Sequence, residues 1–72
     1  MTKLEQKLVE LGYELSGIIN SKVDKVIIKI YSKRVEQKIN EIFIDKYGIY
    51  KTLAENEIEM QKDLGILKEC EK

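Results

Sequence analysis

The spacing of apolar residues along the chain divides it into segments of different period. Leu4, Leu8 and Leu11 recur at helical spacing and form one stripe. Thr2-Lys3-Leu4-Glu5 in front of them has the capping-box spacing, and Gly12 stands where a left-handed residue ends a helix. A helix is therefore predicted from Thr2 to Leu11. Tyr13 to Ile19 then alternates at period two, with Tyr13, Leu15, Gly17 and Ile19 on one side, and is predicted as a strand. The run Asn20 to Asp24 is rich in turn formers. Lys25 to Ser32 is the clearest strand. Val26, Ile28 and Ile30 make an apolar side, while Lys25, Ile27, Lys29, Tyr31 and Lys33 make a side that mixes cations with apolar groups.

Arg34 to Asp45 fits two templates. Val35, Ile39, Ile42 and Phe43 match a helix, and Val35, Ile39 and Phe43 also share one side of a strand. The Ile42-Phe43-Ile44 triplet favours the strand, with Ser32-Lys33-Arg34 as its hairpin connection. Tyr47 to Tyr50 is predicted as a bend, with Tyr13 and Tyr50 as core residues. Thr52-Leu53-Ala54-Glu55 repeats the capping-box spacing and opens a predicted helix that runs to Cys70, about 28 Å long at 1.5 Å per residue. These elements make one α+β domain over residues 1–72. Its expected form is three antiparallel strands with both helices on one face of the sheet and the other face open.

Length and composition narrow the classes. A domain of 72 residues hides only about 60% of the surface its unfolded chain exposes, so a staple or a partner is valuable. One cysteine cannot form an intrachain disulfide, no residue set suggests a metal, and association is the remaining device. With 43% hydrophobic residues the chain is not of the disordered class. No run of about 18 apolar residues exists to span a membrane, and no apolar stretch at the start suggests a secretory leader. The lone Cys70 fits a reducing compartment, so a cytoplasmic location is expected.

Cations and anions balance at 13 each, yet they are sorted along the chain. Residues 21–52 carry eight cations and four anions, whereas residues 53–72 carry six anions and three cations. One reading is solvated faces, helix-dipole complementarity and lysines that protect strand edges. The other is an association surface on the open sheet face, where cations surround exposed Ile and Tyr. Its expected partner-binding residues are Lys25, Ile27, Lys29, Tyr31, Lys33, Arg34, Lys38 and Ile42. Another protein, a second copy and, less favoured in a neutral domain, a nucleic acid are the candidate partners; a membrane is not. For nucleic acid, the lysines and Arg34 would meet phosphates and Tyr31 would stack on a base.

Catalytic chemistry is hard to place. The chain has no histidine, so the usual general base near neutral pH is missing. Cys70 lies between Glu69 and Glu71, which raise a thiol's pKa and blunt its reactivity, so it reads as a spare thiol. The four glycines are isolated and form no phosphate-cradling loop. A non-enzyme without cofactor or metal is expected.

The order of features resembles small proteins encoded by phages and prophages of low-GC Gram-positive bacteria. Such chains open with Leu-x-x-Leu-Gly-Tyr, here Leu8 to Tyr13. An Ile/Tyr-rich hairpin follows, here Val26 to Ile44. They end in a helix with Met-x-x-Asp-Leu-x-x-Leu-Lys, here Met60 to Lys68. This sequence departs from the pattern between Tyr50 and Met60, where Thr-Leu-Ala-Glu-Asn replaces a more polar segment. The resemblance implies an accessory protein that acts by binding another protein, in the manner of inhibitors of bacterial defence systems such as CRISPR-Cas, the anti-CRISPR proteins among them. It also supports the strand reading of Arg34 to Asp45.

Overall fold

Thr2 caps the first helix as its spacing predicts. Its hydroxyl accepts the Glu5 backbone N–H at 3.1 Å, and the Glu5 carboxylate accepts the Thr2 N–H at 3.4 Å. Helix α1 spans Lys3–Glu10. It closes in a Schellman motif, in which Tyr13 N–H donates to Leu8 O and Gly12 N–H to Val9 O. Gly12 has φ +100°, a value that an L side chain rarely adopts. The computed structural model describes residues 2–23 and 25–70, Cys70 through its backbone alone. Expectations for Asp24, the Cys70 thiol, Glu71 and Lys72 lie outside the described residues.

Four strands follow, β1 (Glu14–Ser21), β2 (Val26–Val35), β3 (Lys38–Asp45) and β4 (Gly48–Ala54), and then helix α2 (Glu57–Cys70). The strands form one antiparallel meander in the order β1-β2-β3-β4. The expected three-stranded sheet is thus corrected to a four-stranded one, still within the α+β class. The added strand is the segment read as a bend and a helix start. Asp45 accepts the Tyr47 N–H on its side chain at 2.8 Å, Gly48 turns with φ +123°, and the chain reverses to pair Ile49 with Ile44. Ile49, Tyr50, Thr52 and Leu53 are β-formers, and against an existing strand this preference prevails over the capping-box spacing. A register shift between Phe43 and Ile44 accommodates the extra residue, and Tyr50 is 59% exposed rather than core. Helix α2 starts five residues late. Asn56 takes over the capping role, accepting the Glu59 N–H at 3.2 Å.

The segment of double reading is strand β3, but its hairpin turns at Glu36-Gln37 rather than at Ser32-Lys33-Arg34. Val35 pairs with Lys38, so the loop has two residues, and both have positive φ, 51° and 70°. That is the geometry of a type I′ turn, which matches the twist of the flanking strands and is normally built from Asn and Gly. Glu and Gln give no such signal, so nothing marks the turn in the sequence.

Both helices cover one face of the sheet. Leu8 of α1 and Met60 and Leu67 of α2 pack with Tyr13, Tyr31, Ile42 and Ile44 into a single core, flanked by Leu4, Leu11, Ile49, Ala54 and Leu64. Beneath α2, Asn40 is fully buried; its side-chain N–H donates to Asn56 O at 3.0 Å, and its carbonyl accepts the Asn56 N–H at 2.9 Å. This pair fixes the β3–α2 junction and leaves no buried group there without a partner.

The turn supplies the first prediction. Left-handed backbone costs a non-glycine residue about 1 kcal/mol. Replacing Gln37→Gly with Glu36→Asn is expected to stabilise the fold by about 1 kcal/mol. The measure is a higher urea midpoint with an unchanged m-value.

Candidate functional site

The side of β2 that faces the helices is the reverse of the one expected from its sequence. Tyr31 pairs with Ile42, and both lie under the helices at 2% and 0% exposure. Lys29 and Lys33 share that side. The apolar side of Val26, Ile28 and Ile30 faces outward instead. Because side chains alternate at period two, choosing the wrong side exchanges every residue of the strand. The eight residues expected on one association surface are therefore not one surface. Tyr31 and Ile42 are core, and Lys29 and Lys33 are held by the helices. Ile27 is exposed at the far end of the β1–β2 hairpin, and Lys25, Arg34 and Lys38 are exposed at other positions around the sheet.

The reason lies in the helices. Each presents carboxylates to the sheet among its apolar residues. Glu5 of α1 accepts the Tyr31 hydroxyl at 2.8 Å and Lys29 Nζ at 3.0 Å. Asp63 of α2, 1% exposed, accepts the Tyr13 hydroxyl at 2.9 Å and an ion pair from Lys33, whose Nζ also reaches Glu59 at 3.3 Å. The same ammonium stands 4.8 Å from the centroid of the Tyr13 ring. An all-isoleucine face would leave those carboxylates buried without partners, at a cost of several kcal/mol each. The mixed Lys/Tyr face satisfies them, and none of the buried side-chain polar atoms described is left without a hydrogen bond. Burial pushes the Glu5 carboxyl up, but the bonds from Tyr31, Lys29 and the Thr2 backbone and the Lys29 charge outweigh it and hold it down at about 2. Burial first, and then the bond to Glu5, push the Tyr31 phenol up to about 12. The Tyr13 phenol rises further still, through burial and then Asp63.

The opposite face of the sheet is the candidate interaction surface. By register it carries Ile19 of β1, Val26, Ile28 and Ile30 of β2, Ile39 and Phe43 of β3 and Leu53 of β4. Neither helix touches it. Ile19 is 47% and Leu53 50% exposed, and Val26 and Ile39 are similar. Ile30 lies over Gly17, where an added Cβ would meet its Cδ1 at 3.6 Å. Phe43 is buried at 8% exposure, with Lys51 Nζ 4.8 Å from its ring centroid. Charged groups of both signs stand among these residues: Glu14 and Glu41, Arg34 and Lys51. The sequence shows the β2 part of this strip as the apolar side Val26, Ile28 and Ile30, opposite the side expected to be open.

Other features offer less. A cleft of about 450 Å³ opens between the start of α1 and the β3–β4 turn, next to Ile27 and Tyr47, but its charges balance, with Glu5 ion-paired to Lys29 and Asp45 next to Lys46. Among the described residues no group of three or more His, Cys, Asp or Glu side chains converges as metal ligands would, and no helix is long and apolar enough to cross a membrane.

Two outcomes follow from the buried network. Lys33→Met leaves Asp63 uncompensated and is expected to cost about 3–5 kcal/mol. Adding Asp63→Leu should recover about 2 kcal/mol of that in a double-mutant cycle read by urea unfolding. The pH dependence has two limbs. Glu5 is depressed in the fold, so its contribution is present above the ordinary value of 4.5 and is lost as pH falls towards about 2. Tyr31 is raised, so its contribution is present below pH 10 and is lost as pH rises towards about 12. The acid limb should be worth about 2 kcal/mol in melts across that range and should shrink in Glu5→Gln. Among protein-family models, curated proteins and solved structures, none matches this chain.

Proposed function

We propose that this chain is a small non-enzymatic binding protein whose working surface is the uncovered face of its sheet. The observation that carries the reading is the inversion of the two faces. Charged side chains of the sheet are used to seat the helices, while an apolar strip of the sheet is left outside. An apolar strip across four strands, bounded by charges of both signs, has the composition of a protein-association surface. The resemblance to phage and prophage accessory proteins adds a target class, a bacterial defence enzyme of the CRISPR-Cas kind, inhibited by occupation rather than by chemistry. A nucleic-acid role through the basic hairpin has less support. Lys29 and Lys33 are spent on carboxylates, and the Tyr31 ring offers no face to a base.

The test is co-purification of the tagged full chain from a bacterial host, with the bound partner identified and the complex rebuilt from purified components. Leu53→Asp and Ile28→Asp, on the open face, should lose the partner, and Ile58→Asp, an 87% exposed position on α2, should keep it. Capture that the face variants leave unchanged would overturn the reading. In a plasmid-interference assay, wild type but not Leu53→Asp is expected to restore plasmid uptake. Uptake unchanged by wild type would remove that target class.

A further inference from the structure

We infer that the occupant of the open face is a second copy of this chain, packed sheet to sheet about a two-fold axis that runs along the strands between β2 and β3. The inference rests on the reading of that face as an association surface; a host target binding the same face would compete with the second copy for it. Three observations carry it.

The first is area. The isolated chain exposes 5419 Å², whereas a compact monomer of 8.4 kDa exposes about 4,600 Å². The excess of about 800 Å² is similar in size to the share that one partner contributes to an interface of standard size. It arises from shape, since the fold is only 17 Å thick against 37 and 27 Å in its other extents. A second sheet laid on the bare face would thicken the molecule along that short dimension. The face itself spans about 19 Å across four strands and about 26 Å along them, or about 500 Å² in projection before its corrugation is counted.

The second is the order of residues across the sheet. One row reads Gly17, Ile30, Phe43, Lys51 and the next Glu14, Ser32, Glu41, Leu53. The proposed axis keeps position along the strands and exchanges β1 with β4 and β2 with β3. Ile30 then faces Phe43 of the partner and Phe43 faces its Ile30 at the centre, where Phe43 presents the 8% of its surface that its own chain leaves exposed. Aligned sheets about 10 Å apart allow such interdigitation.

The third is charge. Arg34 lies one row beyond Ser32 on β2. In the paired arrangement Glu41 of one copy faces Ser32 of the other and stands diagonally beside its Arg34. Glu14 faces Leu53 of the other copy and stands diagonally beside its Lys51. Both contacts occur twice, as an isologous interface requires. Four charges of this face, two of each sign, are thus placed to complement their own image; the register sets two further anions, Asp45 and Glu55, at the ends of β3 and β4. A uniformly charged partner such as a nucleic acid would meet a mismatch in at least half of these positions.

Sedimentation equilibrium of the full chain separates the outcomes. Wild type is expected to sediment at about 17 kDa, twice the mass of the chain, in the micromolar range. Leu53→Asp should shift it to monomer and Ile58→Asp should not, with circular dichroism confirming that both are folded. Glu41→Arg and Arg34→Glu should each weaken the dimer about tenfold or more, and the two together should return it to within about threefold of wild type, because the pair is merely exchanged. A monomer at about 200 µM overturns the second copy as occupant. If the face variants still abolish partner capture in that case, the association surface stands with another occupant. A dimer insensitive to every face variant overturns both. A dimer that the double exchange fails to rescue overturns the proposed axis.

Discussion

The ion pair of Lys33 with Asp63 decides which side of this sheet is inside. It joins the C-terminal part of β2 to α2, takes the Tyr13 hydroxyl into the same carboxylate, and has its counterpart in Glu5, which joins α1 to Tyr31 and Lys29. An ion pair at that depth gives little net stability, since desolvation offsets the attraction. What it gives is discrimination. Turning β2 over would leave Asp63, Glu59 and Glu5 against isoleucines, a penalty of several kcal/mol per charge. The arrangement with Val26, Ile28 and Ile30 outside is selected by what it avoids as much as by what it forms.

That selection explains where the sequence was legible and where it was not. Local signals were reliable. The Thr2 capping box, the Gly12 terminus, the extended β2 and the strand character of Ile42 to Ile44 all follow from propensities acting within a few residues. Thr52-Leu53-Ala54-Glu55 had a local signal too, but pairing with β3 overrode it, and the true cap at Asn56 is a lone side chain. The Glu36-Gln37 turn has no residue signature, because its conformation is imposed by the strands it joins. The sidedness of β2 lay beyond local signals altogether. It depends on carboxylates 24 to 30 residues away, and only by asking where Glu5, Glu59 and Asp63 would find cations could the inner side have been identified. The partner-binding residues expected from that strand were misplaced for the same reason. The Ile/Tyr/Lys side of β2 is the side that the helices cover.

The same long-range pairs shape the electrostatics. Residues 21–52 are a cationic block and residues 53–72 an anionic one, and part of this contrast is consumed internally when Lys33 meets Glu59 and Asp63. The cations that remain exposed, Lys25, Arg34 and Lys38 among them, do not gather into a continuous stripe. Charge sorting along the chain is therefore in part a folding device, which specifies how α2 docks.

A small domain that uses polar groups to orient its helices has less apolar surface to seal within itself. Its core is narrow, built of Leu8, Tyr13, Tyr31, Ile42, Ile44, Met60 and Leu67, and a second apolar layer of comparable extent lies on the far side of the sheet. In such a molecule stability and association are one equilibrium. Any occupant that binds the folded sheet and not the unfolded chain raises apparent stability by mass action. Two copies meeting through this face would turn two half-covered sheets into a sandwich with a core between them, and the layer that is a liability for one chain would become the interior of the pair.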